Sequence, residues 1–267
     1  MITKASKLTQ TLICFMFVLL PWPAHSDVQA DYAAALNDWQ QVLSTYVDAE
    51  GRIDFIALAD NTAKLQSYVT LVAAYGPSSN PVDFATRESV LAYHINTYNA
   101  LAMHGVISEG IPEGFDSFFK RAGFFRFRGV TIDGESSNLY DYENKVIRPL
   151  NDPRIHFALN CMVRDCPRLP QTAFTADRVN AQLDQATREF SNSSKYVQVD
   201  PEQKQVRVSA IFDFYTKDFV PSGKTRDLPD YINRYRREPL PQGYKVRYMK
   251  YDWTINQQPE AGLQVPD

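Results

Sequence analysis

Residues 86–107 read TRESVLAYHINTYNALAMHGVI. Leu91, Ile95, Tyr98 and Ala102 recur at the 3.6-residue period of one helix face. Thr86 is a common N-cap residue, and an acidic residue in the first turn favours a helix start. The segment therefore predicts the longest and best-defined helix of the chain.

Further helices and strands follow on both sides of this segment. Apolar residues recur at helical spacing over residues 31–47, and Asn138 suits the N-cap of a short helix over 139–148. Alternation along the chain predicts several strands. These are a hairpin or bent strand at residues 124–132, a buried strand at 155–160, two short strands within 197–208, and a late strand at 244–248.

The order of these elements predicts a single α+β domain over residues 27–267. In this prediction the N-terminal helices pack on a mixed or antiparallel sheet. The chain has 267 residues, of which 44% are hydrophobic and 22% charged, which excludes wholesale disorder and low-complexity classes.

Residues 1–26 have the pattern of a cleaved secretory signal peptide. Lys4 and Lys7 precede an unbroken apolar run at residues 12–20, and Ala24-His25-Ser26 places small residues before a cut at Asp27. An apolar run of 9 residues is too short to span a bilayer, which takes about 20 residues. We therefore expect an exported protein without a stable membrane span, periplasmic in a Gram-negative bacterium and otherwise secreted.

Removing the signal peptide leaves an acidic chain. The 26 remaining basic residues and 31 acidic residues give a net charge of −5. Nucleic-acid binding rests on basic surface, so nucleic acid is not predicted as a partner.

Several segments, in the right order, resemble the uncharacterised domain of unknown function 547 (DUF547) family. The likeness extends over nearly the whole of residues 27–267, with Tyr93-His94 where the family has a Phe-Trp pair. The resembling segments are residues 51–55, 91–100, 139–143 with Arg148, 152–161 with Cys166-Pro167, and 251–253. Because the family has no assigned activity, the resemblance carries over no catalytic residues.

Cys161 and Cys166 are the only cysteines after residue 26. Two cysteines in an exported protein favour a disulfide. The alternative is a thiol nucleophile at Cys161, with His156 as its base and Glu143 orienting His156. A metal site on these cysteines and His156 has weak support, since Cys-x4-Cys is at the edge of zinc-ligand spacing. Neither a metal nor a cofactor is predicted.

Four other residues are candidates for ligand binding: Asn96, Asn99, His104 and Arg154. Asn96 and Asn99 lie three residues apart on one helix face. A buried amide without a partner costs about 1–3 kcal/mol. The two amides therefore either bond to neighbouring backbone or bind a ligand.

Residues 118–128 combine phenylalanines with Arg121, Arg126 and Arg128. This pattern favours a half-buried hairpin with a solvated arginine face. Stacking on single-stranded nucleic acid is disfavoured by export and by the negative charge. Contact with an anionic lipid or glycan is a minor alternative.

Two functions of different classes follow. The first is a binding domain whose pocket takes an unknown small-molecule or envelope-derived ligand, with the Cys161–Cys166 disulfide as a staple. The second is a hydrolase or acyl-transfer enzyme that uses Cys161, His156 and Glu143, similar to papain and transglutaminase types by loose analogy of architecture only. The oligomeric state is not predicted.

Overall fold

The computed structural model describes residues 25–259. The predicted signal peptide lies outside these residues except for His25 and Ser26, and helix α1 begins at His25. The α-helices are α1 (His25–Tyr46), α2 (Phe55–Ala59), α3 (Ala63–Ala74), α4 (Arg87–Ser108), α5 (Phe118–Ala122), α6 (Leu139–Asp141), α7 (Val179–Asn192), α8 (Ile211–Phe214), α9 (Thr216–Phe219) and α10 (Leu228–Asn233).

Two α-helices continue directly into π-helical turns, and single 3-10 turns connect other elements. The π-helical turns are Gly123–Phe127 after α5 and Tyr142–Ile147 after α6. The 3-10 turns are Arg148–Leu150, Pro153–Phe157 and Thr225–Asp227.

The strands form two small sheets, which completes an α+β domain as the sequence predicts. β1 (Gly129–Ile132) and β2 (Glu135–Asn138) make an antiparallel hairpin. β3 (Val197–Asp200) pairs antiparallel with β4 (Gln205–Val208), which pairs parallel with β5 (Lys245–Tyr248). The second sheet is therefore mixed.

Helix α4 lies at the centre of the core. Nearly all of its residues from Leu91 to Val106 are buried, so the helix is enclosed on all sides instead of lying on a surface. Its N-terminus is a capping box, in which Thr86 and Ser89 exchange side-chain and backbone hydrogen bonds. Helix α3 packs against α1, α4 and β1, and so joins the N-terminal helices to the hairpin.

The predicted strand at residues 155–160 is wrong. Pro153–Phe157 is a 3-10 turn, which Asp152 caps by accepting a hydrogen bond from the amide of Arg154. A proline in the first turn suits a helical start, because its missing N–H has no partner there in any case. The alternation of faces expected of a strand does not apply here, and Ile155, His156 and Phe157 are all buried.

The predicted strand at residues 124–132 is correct only for its second half. Phe124–Phe127 is π-helical, and extended structure begins at Gly129. Phe124 is buried against Phe115 at a ring separation of 4.4 Å, whereas Phe127 is exposed. The alternation of phenylalanine and arginine in this stretch therefore does not reflect a strand.

None of the helices within residues 25–259 combines the length and the apolar character needed to cross a bilayer.

A cavity lined by aromatic side chains

One cavity, of about 280 Å³, brings together all three predicted catalytic residues. Glu143, His156 and Cys161 reach it from three different elements of the chain. Its remaining wall is mostly aromatic and apolar: Tyr98, Phe118, Arg121, Ala122, Phe125, Arg126, Tyr140, Leu159, Pro167, Ile211, Phe214, Tyr215, Tyr251 and Trp253.

His156 is held in a fixed orientation at the wall of this cavity. Its imidazole stacks on Tyr215 with the ring centroids 3.9 Å apart. Its Nε2 donates a hydrogen bond to Oδ2 of Asp218 at 2.8 Å. Asp218 belongs to α9, and Tyr215 is the residue before that helix. These two contacts therefore attach the 3-10 turn Pro153–Phe157 to a distant segment of the chain.

Asp218 is shared between His156 and Arg148. Nε and Nη2 of Arg148 donate to the two carboxylate oxygens of Asp218, each at 2.7 Å. Burial opposes ionisation of Asp218, but the hydrogen bonds from His156 and Arg148 outweigh it and hold the pKa of this carboxyl well below its usual range. Asp218 is therefore a carboxylate at any pH near neutral.

Glu143 is a buried carboxylate among phenols. Its side chain is on the π-helical turn after α6, and the residue is 9% exposed. The hydroxyl of Tyr98 donates to Oε2 of Glu143 at 3.4 Å. Burial, and then the negative charge of Glu143, raise the pKa values of Tyr98 and Tyr215 well above the usual range. Both phenols therefore stay protonated and act as hydrogen-bond donors.

The Cys161–Cys166 disulfide is present, as the sequence predicts. Cys161 lines the cavity, and the hydroxyl of Tyr251 lies 3.5 Å from its Sγ and 3.6 Å from that of Cys166. Asn160 secures the loop by accepting from the amide of Met162 at 2.7 Å. In this oxidised state Cys161 has no thiol, so a nucleophilic role would require a reduced protein.

Two arginines lie at the edge of the cavity, each over an aromatic ring. The guanidinium carbon of Arg121 is 4.7 Å from the ring centroid of Trp253, and that of Arg126 is 3.6 Å from that of Tyr140. Nη1 of Arg121 also donates to the carbonyl of Phe115 at 2.9 Å. Stacking leaves the edges of a guanidinium available for hydrogen bonds, so the remaining N–H groups can meet an anion.

Asn96 and Asn99 do not line the cavity. The oxygen and the nitrogen of each side-chain amide form hydrogen bonds with protein backbone. Asn99 donates to the carbonyl of Ala158 at 2.9 Å and accepts from the amide of Asn160 at 2.8 Å. Asn96 makes the same pair of bonds to the carbonyl and amide of Phe174, at 2.8 and 2.9 Å. Asn99 thereby fixes the backbone between His156 and Cys161.

His104 and Arg154 also lie apart from the cavity. Nε2 of His104 bonds to Oε1 of Gln66 at 3.0 Å. Burial and the nearby Arg128 lower the pKa of His104. Arg154 is occupied by ion pairs with Asp152 at 2.7 Å and Asp184 at 2.8 Å.

Sequence reasoning missed Asp218, Tyr215 and Tyr251. The aromatic-rich segment at 210–219 is visible in the sequence, but nothing local relates it to His156, which precedes Asp218 by 62 residues. No three His, Cys, Asp or Glu side chains within residues 25–259 are grouped so that they could hold a metal ion.

Residues 82–190 match the model of a family described as "Protein of unknown function, DUF547". The family resemblance seen in the sequence is confirmed over this stretch, and its extension to the rest of the chain stays a prediction. No curated protein and no solved structure gives a significant match. The matched stretch contains Glu143, His156 and both cysteines, but not Asp218.

The disulfide should stabilise the fold modestly. In the chain-entropy model, closing so short a loop contributes about 2 kcal/mol. We expect the double variant Cys161→Ser/Cys166→Ser to lower the free energy of unfolding in urea by about that amount. Alkylation and mass spectrometry of the unmodified protein should find both thiols blocked until reduction. Rapid alkylation of Cys161 without reductant would contradict the disulfide.

Acid should remove a stabilising contribution of Asp218. A carboxyl whose pKa is lower in the folded than in the unfolded chain stabilises the fold above the unfolded pKa of about 4. That contribution is lost as the pH falls through the folded value. Between about pH 4 and pH 2 we therefore expect the free energy of unfolding to fall more steeply for the wild type than for Asp218→Asn.

The matched control for this experiment is Asp177→Asn, at an exposed aspartate. Its acid profile, measured by urea unfolding at each pH, should run parallel to that of the wild type. Parallel profiles for the wild type and Asp218→Asn would show that Asp218 has no depressed pKa.

Proposed function

Residues 82–190 thus belong to the DUF547 family, and because that description assigns no activity, we propose a function from the cavity: the chain is an exported protein that binds a small ligand there. The ligand has an aromatic or flat apolar body, a hydrogen-bond donor and an anionic group. The observation that carries this proposal is the shared wall of aromatic rings around one buried carboxylate.

The size and lining of the cavity support a small ligand. Ligand cavities are typically about 300–1,000 Å³, mostly apolar, with a few polar groups that set orientation. A volume of about 280 Å³ lies just below that range, which favours a small ligand. Phe125, Phe214 and Tyr251 are among the aromatic side chains of the lining, against which a flat apolar body can pack.

The polar groups indicate which chemical groups the ligand carries. The side chain of Glu143 accepts a hydrogen bond from Tyr98, and in the same way it favours a hydroxyl or amino donor on the ligand. Tyr98 already donates to it, which holds the carboxylate in place before a ligand arrives. Arg121 and Arg126, which also line the cavity, favour an anionic group on the ligand.

Export is supported by two independent features. Residues 1–26 have the pattern of a signal peptide. The disulfide is of the kind that persists in an oxidising compartment.

The ligand proposal is tested by thermal shift and tryptophan fluorescence with a panel of hydroxylated aromatic carboxylates. Phe214 lines the cavity and is 47% exposed, whereas Phe119 is 83% exposed and does not line it. We expect Phe214→Ala to weaken binding about tenfold, since a lost ring contact costs roughly 0.5–1.5 kcal/mol beyond area. The matched variant Phe119→Ala should bind like the wild type.

Glu143→Gln adds a second test of the same site. It retains the shape of the side chain but removes the charge that accepts from a ligand hydroxyl. Affinity should fall for hydroxylated members of the panel and change little for those without a donor. Equal losses of affinity for both classes of ligand would show that Glu143 does not recognise the ligand hydroxyl. If no member of the panel stabilised the wild-type protein, the proposed ligand class would be wrong.

A second candidate function is hydrolysis or acyl transfer, favoured by the placement of Glu143, His156 and Cys161 on one cavity wall. With the disulfide intact, Glu143 and His156 would act as an acid–base pair, with Asp218 orienting the imidazole through its hydrogen bond. In a reduced protein, Cys161 would be the nucleophile.

Enzyme activity is tested by mass spectrometry of ester and amide derivatives of the same panel. Acid–base catalysis predicts that His156→Gln and Glu143→Gln each lower turnover at least about a hundredfold, while Cys161→Ser/Cys166→Ser retains it. A thiol mechanism predicts that the double serine variant is inactive and that reductant activates the wild type. Turnover unchanged in His156→Gln would contradict both mechanisms.

A further inference from the structure

Three phenylalanines project into solvent from one short segment next to the cavity. Phe118, Phe119 and Phe127 are 68%, 83% and 80% exposed. They lie on α5 and the π-helical turn that continues it, so about ten residues of helix, roughly 15 Å long, present all three. Phe118 and Phe119 contact each other, with their ring centroids 5.8 Å apart. Single exposed apolar residues are common, whereas three large ones within ten residues of one helical segment indicate an interaction surface.

The same segment contains phenylalanines that do serve the core. Phe124 is 1% exposed, and its ring lies 4.4 Å from that of Phe115. The ring of Phe125 lies 4.8 Å from that of Phe124 and lines the cavity. The segment is thus anchored by its inward rings, and the three outward rings are not needed to hold it in place.

The segment is also basic in an otherwise acidic protein. Residues 118–128 contain four cations and no carboxylate, although the whole chain has a net charge of −3. Lys120 lies 2.9 Å from Asp116, which offsets its charge in part. Arg121 and Arg126 have rings as neighbours, and in the described part of the chain no ion pair neutralises them.

We propose that residues 118–128 form a docking surface for lipid bilayers that carry anionic headgroups. Phenylalanine rings enter the boundary between headgroups and acyl chains, and arginine and lysine reach the phosphates from the same surface. Anionic lipids attract a basic segment at a bilayer surface. An anionic bilayer would repel the remainder of this acidic chain. The charge distribution therefore favours docking through residues 118–128.

A second copy of the chain fits this surface less well than a bilayer does. Three phenylalanines supply at most about 450–750 Å² of contact area. A stable protein interface takes about 800 Å² from each partner. Insertion into a fluid bilayer needs no complementary pocket, so the available area and charge suffice for reversible binding.

Docking in this way places the mouth of the cavity at the bilayer. Phe118, Arg121 and Arg126 belong both to the docking surface and to the cavity lining. A ligand with an apolar body and an anionic group is itself amphiphilic and concentrates at such an interface. The docking proposal nevertheless stands on the exposed rings and cations, and not on ligand binding.

The experiment is sedimentation of the exported protein with lipid vesicles. One set of vesicles is phosphatidylcholine alone, and the other is a mixture in which one quarter of the lipid is phosphatidylglycerol. We expect binding to the mixed vesicles, weak binding to phosphatidylcholine, and a loss of binding when NaCl rises from 0.1 to 0.5 M. The double variant Phe119→Ser/Phe127→Ser should lower the partition coefficient at least about tenfold. Neither of these residues lines the cavity.

Control variants separate docking from general effects on the protein. Val82 is 77% exposed away from this segment, so Val82→Ser should partition like the wild type. Lys120→Gln should weaken binding to the mixed vesicles, whereas Lys245→Gln, at an exposed position of β5, should not. Unchanged melting temperatures and unchanged thermal shift with the ligand panel would show that the double serine variant is folded.

Three results would overturn the proposal. One is the absence of sedimentation with mixed vesicles, and another is equal binding to both vesicle types. The third is a change of oligomeric state, seen by light scattering in the double serine variant, with vesicle binding unaltered, because that would identify a second copy as the occupant.

Discussion

The shape of the cavity wall depends on the side-chain amide of Asn99, which forms hydrogen bonds with the backbone on both sides of Leu159. By bonding to the carbonyl of Ala158 and the amide of Asn160, it holds an irregular segment against the buried helix α4. This segment has no strand partner to satisfy those backbone groups, and leaving each one unpaired would cost about 1–3 kcal/mol. His156 precedes the bonded stretch and Cys161 follows it, so the position of both at the cavity wall depends on it.

A second constraint connects this segment to the C-terminal half of the chain. Asp218 bonds to both His156 and Arg148. It thereby joins the 3-10 turns Pro153–Phe157 and Arg148–Leu150 to α9. The stacking of His156 on Tyr215 adds to the same junction. An ion-pair network of this kind orients an imidazole whether its role is structural, as in a binding protein, or catalytic.

The cavity and the surface beside it have complementary chemistry. The interior offers aromatic faces and a carboxylate held by phenols, and the rim offers arginines stacked on rings. Outside the rim, exposed phenylalanines continue the apolar character into solvent. A binding protein for amphiphilic ligands and a protein that meets bilayers would share this arrangement. The two proposals therefore agree with each other. They share Phe118, Arg121 and Arg126, whereas Glu143 serves only ligand binding and Phe119 and Phe127 serve only docking.

Several features were determined by the sequence alone, because each depends on residues close together in the chain. Helix α4 follows from apolar periodicity and a capping threonine, and the disulfide from two nearby cysteines. In each of these cases the interacting groups are separated by only a few residues.

Tertiary structure alone decided the remaining features. It kept residues 158–160 out of a sheet, because the side chain of Asn99 pairs with the backbone of Ala158 and Asn160 in place of a neighbouring strand. It brought Asp218 and Tyr215 to His156, and it turned some phenylalanines of one segment inward and others outward. Local spacing cannot encode these choices, since each depends on which distant surfaces meet when the core closes around α4.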